Sequence, residues 1–175
     1  MKTPETYTPL RVGFHWLMVL LLVAVYATME LRDFYPKGSD PREALKTWHF
    51  MLGLSVLVLV LLRLLARWRQ PGPAPLQGPA WQMGLAKAAH LGLYLFMIAM
   101  PLAGWLILST AGKPVPFFGL ELPALMGLDK ALSRQIKDVH ETVATLGYFL
   151  VGLHALGALF HHYVVKDNTL RRMWR

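Results

Sequence analysis

Four apolar stretches, roughly Val12 to Met29, Trp48 to Leu62, Ala88 to Leu108 and Val139 to Tyr163, take up most of a chain of 175 residues. A helix crossing the hydrocarbon of a bilayer needs about 20 apolar residues, because no water is present there to satisfy an open backbone group. Four such segments leave little chain for a soluble catalytic unit. Composition agrees, with 55% apolar and 16% charged residues, against about 45–50% and about 25% in an average soluble domain. Breaks at Gly38–Pro41, Gln70-Pro71-Gly72-Pro73-Ala74-Pro75 and Lys113–Pro116 punctuate the loops, since proline cannot continue a helix. The expected fold class is all-α, an integral membrane four-helix bundle running up-down-up-down. It forms one domain over residues 1–175, with spans near 10–30, 44–66, 82–109 and 137–165. The first span lacks a convincing A-x-A cleavage site and carries His15, so it reads as retained rather than as a secretory signal.

Charge supplies the orientation. With both termini cytoplasmic, the inner segments hold ten Lys and Arg (Lys2, Arg11, Arg63, Arg67, Arg69, Lys87, Lys166, Arg171, Arg172 and Arg175) against only Glu5 and Asp167. The outer loops hold eight cations, among them Arg32, Lys37, Arg42, Lys46, Lys113 and Lys137, against eight carboxylates. The whole net charge of +8 therefore lies on one side, as the positive-inside rule requires. A basic chain of this kind needs no nucleic-acid partner to explain it. Trp16, Trp48, Trp68, Trp81 and Trp174 fall near span ends and read as interface anchors.

The chemistry-bearing feature is histidine. There is no cysteine, which excludes disulfides, thiolate metal sites and cysteinyl clusters, whereas seven histidines lie within or at the ends of the spans. Ionisable groups at membrane depth are costly and need partners. Antiparallel threading places His49 and His140 together in an outer layer. His15, His90 and His154 fall in an inner layer, with His161 and His162 beyond them. On the fourth span His140 and His154 are 14 residues apart, which is about 21 Å along a helix and about 40° short of four turns, so they share one face. Gly147 lies midway between them and Gly53 follows His49 by four residues, leaving space beside the helices. A flat macrocycle gripped by one histidine from each side fits this pattern, and two such sites make a wire across the bilayer. The outer pair is unique, His49 with His140. The inner one is overdetermined, with His15 and His154 the best match in depth. Interhelical hydrogen bonding or a proton relay is the competing use of such histidines. Met29, Met51, Met97 and Met100 read as packing.

His15-Trp16, Met29-Glu30, His49, His90-Leu91-Gly92, His140-Glu141-Thr142, Gly147-Tyr148-Phe149, Gly152-Leu153-His154, His161-His162-Tyr163 and Lys166-Asp167-Asn168-Thr169-Leu170 together give a resemblance over essentially the whole chain. The sequence resembles the bacterial cytochrome b561 family of small four-helix dihaem membrane proteins, related to the cytochrome b subunits of formate dehydrogenase and nickel-iron hydrogenase. The resemblance implies a multi-pass protein of the bacterial inner membrane with two b haems, whose iron is held by His49 and His140 at the outer site and by His15 and His154 at the inner one. It also implies electron exchange with ubiquinone, and similarity to superoxide oxidases, which take electrons from periplasmic superoxide and release dioxygen. An electron-conducting anchor for a periplasmic dehydrogenase is the second reading, so a soluble protein partner is compatible but not required.

The sequence adds three expectations to this. Lys46 and Lys137 each precede an outer histidine by three residues, one turn toward the outer surface, where a cation attracts a small anion, pairs with haem propionates or simply snorkels to the interface. His161 follows His154 by seven residues and continues the ligand face, so with His90 it is the expected quinone contact. Lys87 is placed to offset negative charge on a reduced quinone.

Overall fold

The computed structural model describes residues 6–70, 72–74 and 78–174; Lys2, Glu5, Pro71, Pro75 and Arg175 lie outside the described residues. Four long helices dominate it, α1 (Pro9–Arg32), α2 (Asp40–Arg69), α3 (Ala80–Thr110) and α4 (Lys130–Phe160), each long and apolar enough to cross a membrane.

Helix ends follow from local chemistry. Pro9 opens α1, where its fixed φ suits the first turn and its missing N–H costs nothing. α2 starts well before its apolar stretch, at Asp40, with Asp40 and Glu43 in the first turn and Arg67 and Arg69 in the last, charges that complement the helix dipole at each end. Arg42 ties α1 to α2. Its guanidinium donates to the carbonyls of Arg32 at 2.8 Å and Tyr35 at 2.9 Å, and to Asp33 Oδ1 at 2.9 Å, so a cation closes the negative end of α1. At the inner end the Thr8 hydroxyl bonds the Gln70 side chain, and Arg11 donates to the Gln70 carbonyl at 3.3 Å. Asp129 caps α4 by accepting the N–H groups of Ala131 at 3.0 Å and Leu132 at 2.9 Å.

The loop after α3 departs from the all-helical expectation. Around Lys113–Pro116 the chain forms a hairpin, β1 (Val115–Phe117) with β2 (Leu120–Leu122), antiparallel with Phe117 opposite Leu120. Phe118 and Gly119 both take positive φ, 47° and 87°, the two-residue turn whose twist matches paired strands. Phe118 tolerates this conformation because its ring packs on Trp48 and its N–H meets Met51 Sδ at 3.4 Å. Val115 is buried with Leu54 and Leu108. The hairpin therefore lids the outer ends of α2 and α3.

Packing is inverted relative to a soluble bundle. Met18, Val56, Leu59, Val60 and Met97 form the central cluster of α1, α2 and α3, while Leu20, Val23, Leu61, Phe149 and Leu156 face outward, where lipid costs them nothing. α1 packs most extensively on α2, and α3 on α4. α4 buries only Ser133 and Gly147. It meets α3 through Leu150 beside Gly92 and meets the other helices through His140, His154 and Tyr148, the face that carries the site.

Candidate functional site

The two histidine layers are present as facing rings. His49 of α2 and His140 of α4 lie with ring centres 6.4 Å apart. Near the inner end, His15 of α1 and His154 of α4 lie 6.2 Å apart. His90 of α3 sits closer to His154, at 5.4 Å. All are half-buried except His90, which is exposed. His49 Nδ1 is 3.1 Å from the Val25 carbonyl; a carbonyl only accepts, so Nδ1 carries the proton and Nε2 keeps a free lone pair. His140 Nδ1 is buried with no hydrogen-bond partner.

Among the described residues no cluster of three or more His, Cys, Asp or Glu could hold a bare metal ion. Two facing imidazoles supply axial ligands only, so a metal held here needs its equatorial nitrogens from a macrocycle. Two imidazoles on opposite sides of one metal, each at about 2.0–2.1 Å, put their ring centres roughly 6 Å apart. The separations in the His49–His140 and His15–His154 pairs fit that requirement, and the 5.4 Å between His90 and His154 is short for it.

Gly53 has open space around the position of a Cβ, in keeping with the sequence reading, but Gly147 does not. The space at Gly147 holds the Tyr26 hydroxyl and the Phe96 ring; a Cβ would come to 2.6 Å from Phe96 Cζ. Tyr26 donates to the Ala144 carbonyl at 2.7 Å, and its ring lies 4.3 Å from that of Tyr148, whose hydroxyl donates to Glu30 at 2.7 Å. Gly147 thus permits α1 and α3 aromatics to reach α4 between the two layers, a use the sequence reading did not foresee. Gly147→Ala is expected to lower the thermal midpoint of the purified protein, with an overpacking cost of about 1–3 kcal/mol, and Phe96→Leu in the same chain to recover part of it.

Both lysines singled out from the sequence are engaged on their own helices. Lys46 Nζ pairs with Glu43 at 2.5 Å and Lys137 Nζ with Glu141 at 2.9 Å. Each cation therefore presents an ion pair toward the outer surface, not a free charge. His161 is likewise engaged, with Nδ1 2.6 Å from Asp167 Oδ2. It begins a π-helical turn, His161–Val165, which ends at Lys166 with a left-handed φ of 58°. That wider turn carries Asp167 back over the helix end, where its N–H donates to the His161 carbonyl at 3.1 Å. His161 makes its ring contact with Phe160, and His90 makes its own with His154; the structure does not draw the two into one contact. Lys87 is exposed.

Sequence reasoning missed Asp167, the Tyr26–Tyr148–Glu30 group and Arg63, whose guanidinium lies 3.4 Å from His15 Nδ1. Arg63 had a signal: it follows His49 by 14 residues on α2, the same interval that separates His140 from His154.

A family model described as prokaryotic cytochrome b561 matches residues 6–175. Cytochrome b561 homolog 1 of Escherichia coli (strain K12) is 38% identical over 168 residues, covering 95% of this chain and 96% of the relative. A probable superoxide oxidase, CybB, of Yersinia pestis is 40% identical over 170 residues, covering 97% and 96%. Cytochrome b561 homolog 2 of Escherichia coli (strain K12) is 32% identical over 184 residues, covering 98% and 93%.

Proposed function

The chain belongs to the prokaryotic cytochrome b561 family, multi-pass b-type cytochromes of the bacterial inner membrane that bind haem b and transfer electrons, and on that premise we propose that it carries two haems and acts as a superoxide:ubiquinone oxidoreductase. The outer haem is assigned to His49 and His140 and the inner one to His15 and His154. The observation that carries the reading is the pair of facing rings in each layer, 6.4 and 6.2 Å between centres. The name of the Yersinia pestis relative supports the substrate.

Haem supplies reversible one-electron chemistry at iron. The protein supplies the rest. His49, held through Nδ1 by the Val25 carbonyl, offers an oriented Nε2. The histidines sit in a water-poor interior that keeps the two layers apart by the separation built into α4. The overall reaction balances with two superoxide anions, each giving up one electron and leaving as dioxygen, against one ubiquinone that gains two electrons and two protons. His161, at the cytoplasmic end where water is available, is proposed to hand a proton to the quinone, with His90 a second contact.

The test is direct. Purified protein in detergent, given superoxide and a short-chain ubiquinone, is expected to show haem reduction followed by quinol formation, both abolished by superoxide dismutase. Haem that stays oxidised under superoxide but is reduced by a copurifying soluble dehydrogenase identifies the protein as the membrane anchor of that enzyme.

The ion pairs at Lys46 and Lys137 sharpen what steering the outer surface can provide. Because each lysine is paired with its own glutamate, Lys46→Gln with Lys137→Gln leaves two unpaired carboxylates and is expected to slow superoxide-dependent reduction roughly two- to fivefold at low salt. Glu43→Gln with Glu141→Gln frees two cations and is expected to raise the rate roughly two- to fivefold at low salt, the gain fading once the Debye length falls below about 10 Å. Stopped-flow reduction at several ionic strengths measures both; equal rates in all variants remove these lysines from substrate attraction.

A further inference from the structure

Arg63 is a half-buried arginine inside a predominantly apolar span, and no carboxylate pairs with it among the described residues. A cation at that depth is costly unless it is paired. Its polar neighbour is His15, whose Nδ1 lies 3.4 Å from a guanidinium nitrogen. Arg67, one turn further, adds a second cation and stacks over the Tyr94 ring at 5.7 Å. The inner layer is therefore rich in positive charge and poor in acid: Asp167, the one carboxylate on that side within the described residues, is already committed to His161 and the Thr169 N–H.

The hydrogen bond to His15 cannot persist if His15 binds iron. A neutral imidazole has one lone-pair nitrogen. Once Nε2 donates its pair to a metal, Nδ1 carries the proton and can no longer accept from Arg63. The guanidinium must then find another acceptor within reach of His15. Haem b brings two propionate carboxylates, and arginine is the side chain best shaped to hold a carboxylate through two N–H groups. Position agrees with this: fourteen residues after His49, Arg63 lies on the same face of α2.

We propose that Arg63 binds a propionate of the inner haem, with Arg67 as an auxiliary cation. The proposal rests on the assignment of His15 and His154 to that haem. Its neighbourhood makes Arg63 a positioning and potential-setting residue rather than an electron donor or acceptor.

Redox titration of the purified holoprotein by absorbance tests it. His49→Ala, whose layer has no spare histidine, first identifies the inner haem as the wave that remains. In Arg63→Gln an uncompensated propionate favours the ferric state, so that wave is expected to shift by about tenfold in its reduction equilibrium, about 59 mV lower for one electron, while the other wave stays in place. Arg63→Lys, which keeps the charge, is expected to restore most of the shift. If Arg63→Gln loses the inner haem outright, retention of that haem in Arg63→Lys supports the pairing, and loss in both variants overturns it as a packing effect. An inner wave that does not move in Arg63→Gln also overturns it, because glutamine can still hydrogen-bond His15 without compensating a carboxylate. Should His15→Ala leave the inner wave unchanged in both size and position, the ligand assignment itself fails, which is a different result from an unmoved wave in Arg63→Gln with that assignment standing.

Discussion

His49→Ala and His140→Ala are each expected to purify with half the haem of the parent protein, and the haem that remains is expected to be the inner one. The argument begins with redundancy. In the outer layer His49 and His140 face each other across 6.4 Å, and the other five histidines all lie toward the inner end. Removing either ring leaves one axial ligand and an alanine-sized hole, and no neighbouring imidazole can swing in. Met51 is near but engaged, its sulfur receiving the Phe118 N–H. The inner layer differs, since His90 lies 5.4 Å from His154 and is placed to substitute in part when His15 is removed. Haem per polypeptide, with the low-spin bis-imidazole signal by electron paramagnetic resonance, reads both predictions. His49→Ala or His140→Ala protein with two haems refutes the outer assignment, whereas His15→Ala protein with partial inner haem and altered spin state is the behaviour expected of a layer with a spare ligand.

That difference between layers was partly legible in the sequence, because histidine depth follows from counting along alternating spans. The one-face relation of His140 and His154 also needed only the helical repeat. What the sequence hid was how side chains spend their bonding capacity. Lys46 and Lys137 look like free cations until the i to i+3 and i to i+4 carboxylates, Glu43 and Glu141, are seen to fold back on them. Gly147 looks like space for a cofactor because a glycine at helical register says only that something comes close; that Tyr26 and Phe96 are what comes close depends on α1 and α3. The hairpin at Val115–Leu122 was missed because six strand residues around a Phe-Gly turn have no hydropathy signature when one of them is Pro116 and Pro114 and Pro123 flank them. The positive φ of Phe118 is accompanied by its contacts with Trp48 and Met51 on another helix, a tertiary setting that a local pattern does not carry. Arg63 was counted only as an inward positive charge, although its 14-residue interval from His49 was as readable as the one on α4.

The last expectation concerns His161, where the structure supplies the partner that a proton donor requires. Asp167 accepts the Nδ1–H of His161 at 2.6 Å and the Thr169 N–H at 2.8 Å. Partial burial pushes the Asp167 carboxyl up, but the hydrogen bonds from Thr169 and from His161 outweigh it and leave the group below the usual carboxylate range. Its contribution to holding the π turn is thus fully present at neutral pH and is lost only as pH falls through that lowered value. With Nδ1 fixed as the donor to Asp167, Nε2 is the nitrogen that takes a proton from water and passes it on, the same division of labour that a carboxylate imposes on a histidine in general acid catalysis. His161→Ala removes the relay. Asp167→Asn removes the carboxylate that orients the ring while leaving the imidazole in place. Both are expected to keep their haems, to be reduced by the donor at the parental rate, and to be reoxidised by ubiquinone about tenfold more slowly or worse, the size of loss that accompanies removal of a positioned proton donor. Because quinone reduction consumes protons, the slowed step in Asp167→Asn is expected to recover on lowering the pH, while that in His161→Ala is not, since bulk acid can load a misoriented ring but cannot replace an absent one. Stopped-flow reoxidation between pH 5 and pH 8 separates the two variants. Parental reoxidation in both places the quinone away from this end of α4, and the outer layer, lidded by the hairpin and free of a comparable histidine–carboxylate pair among the described residues, becomes the side to examine.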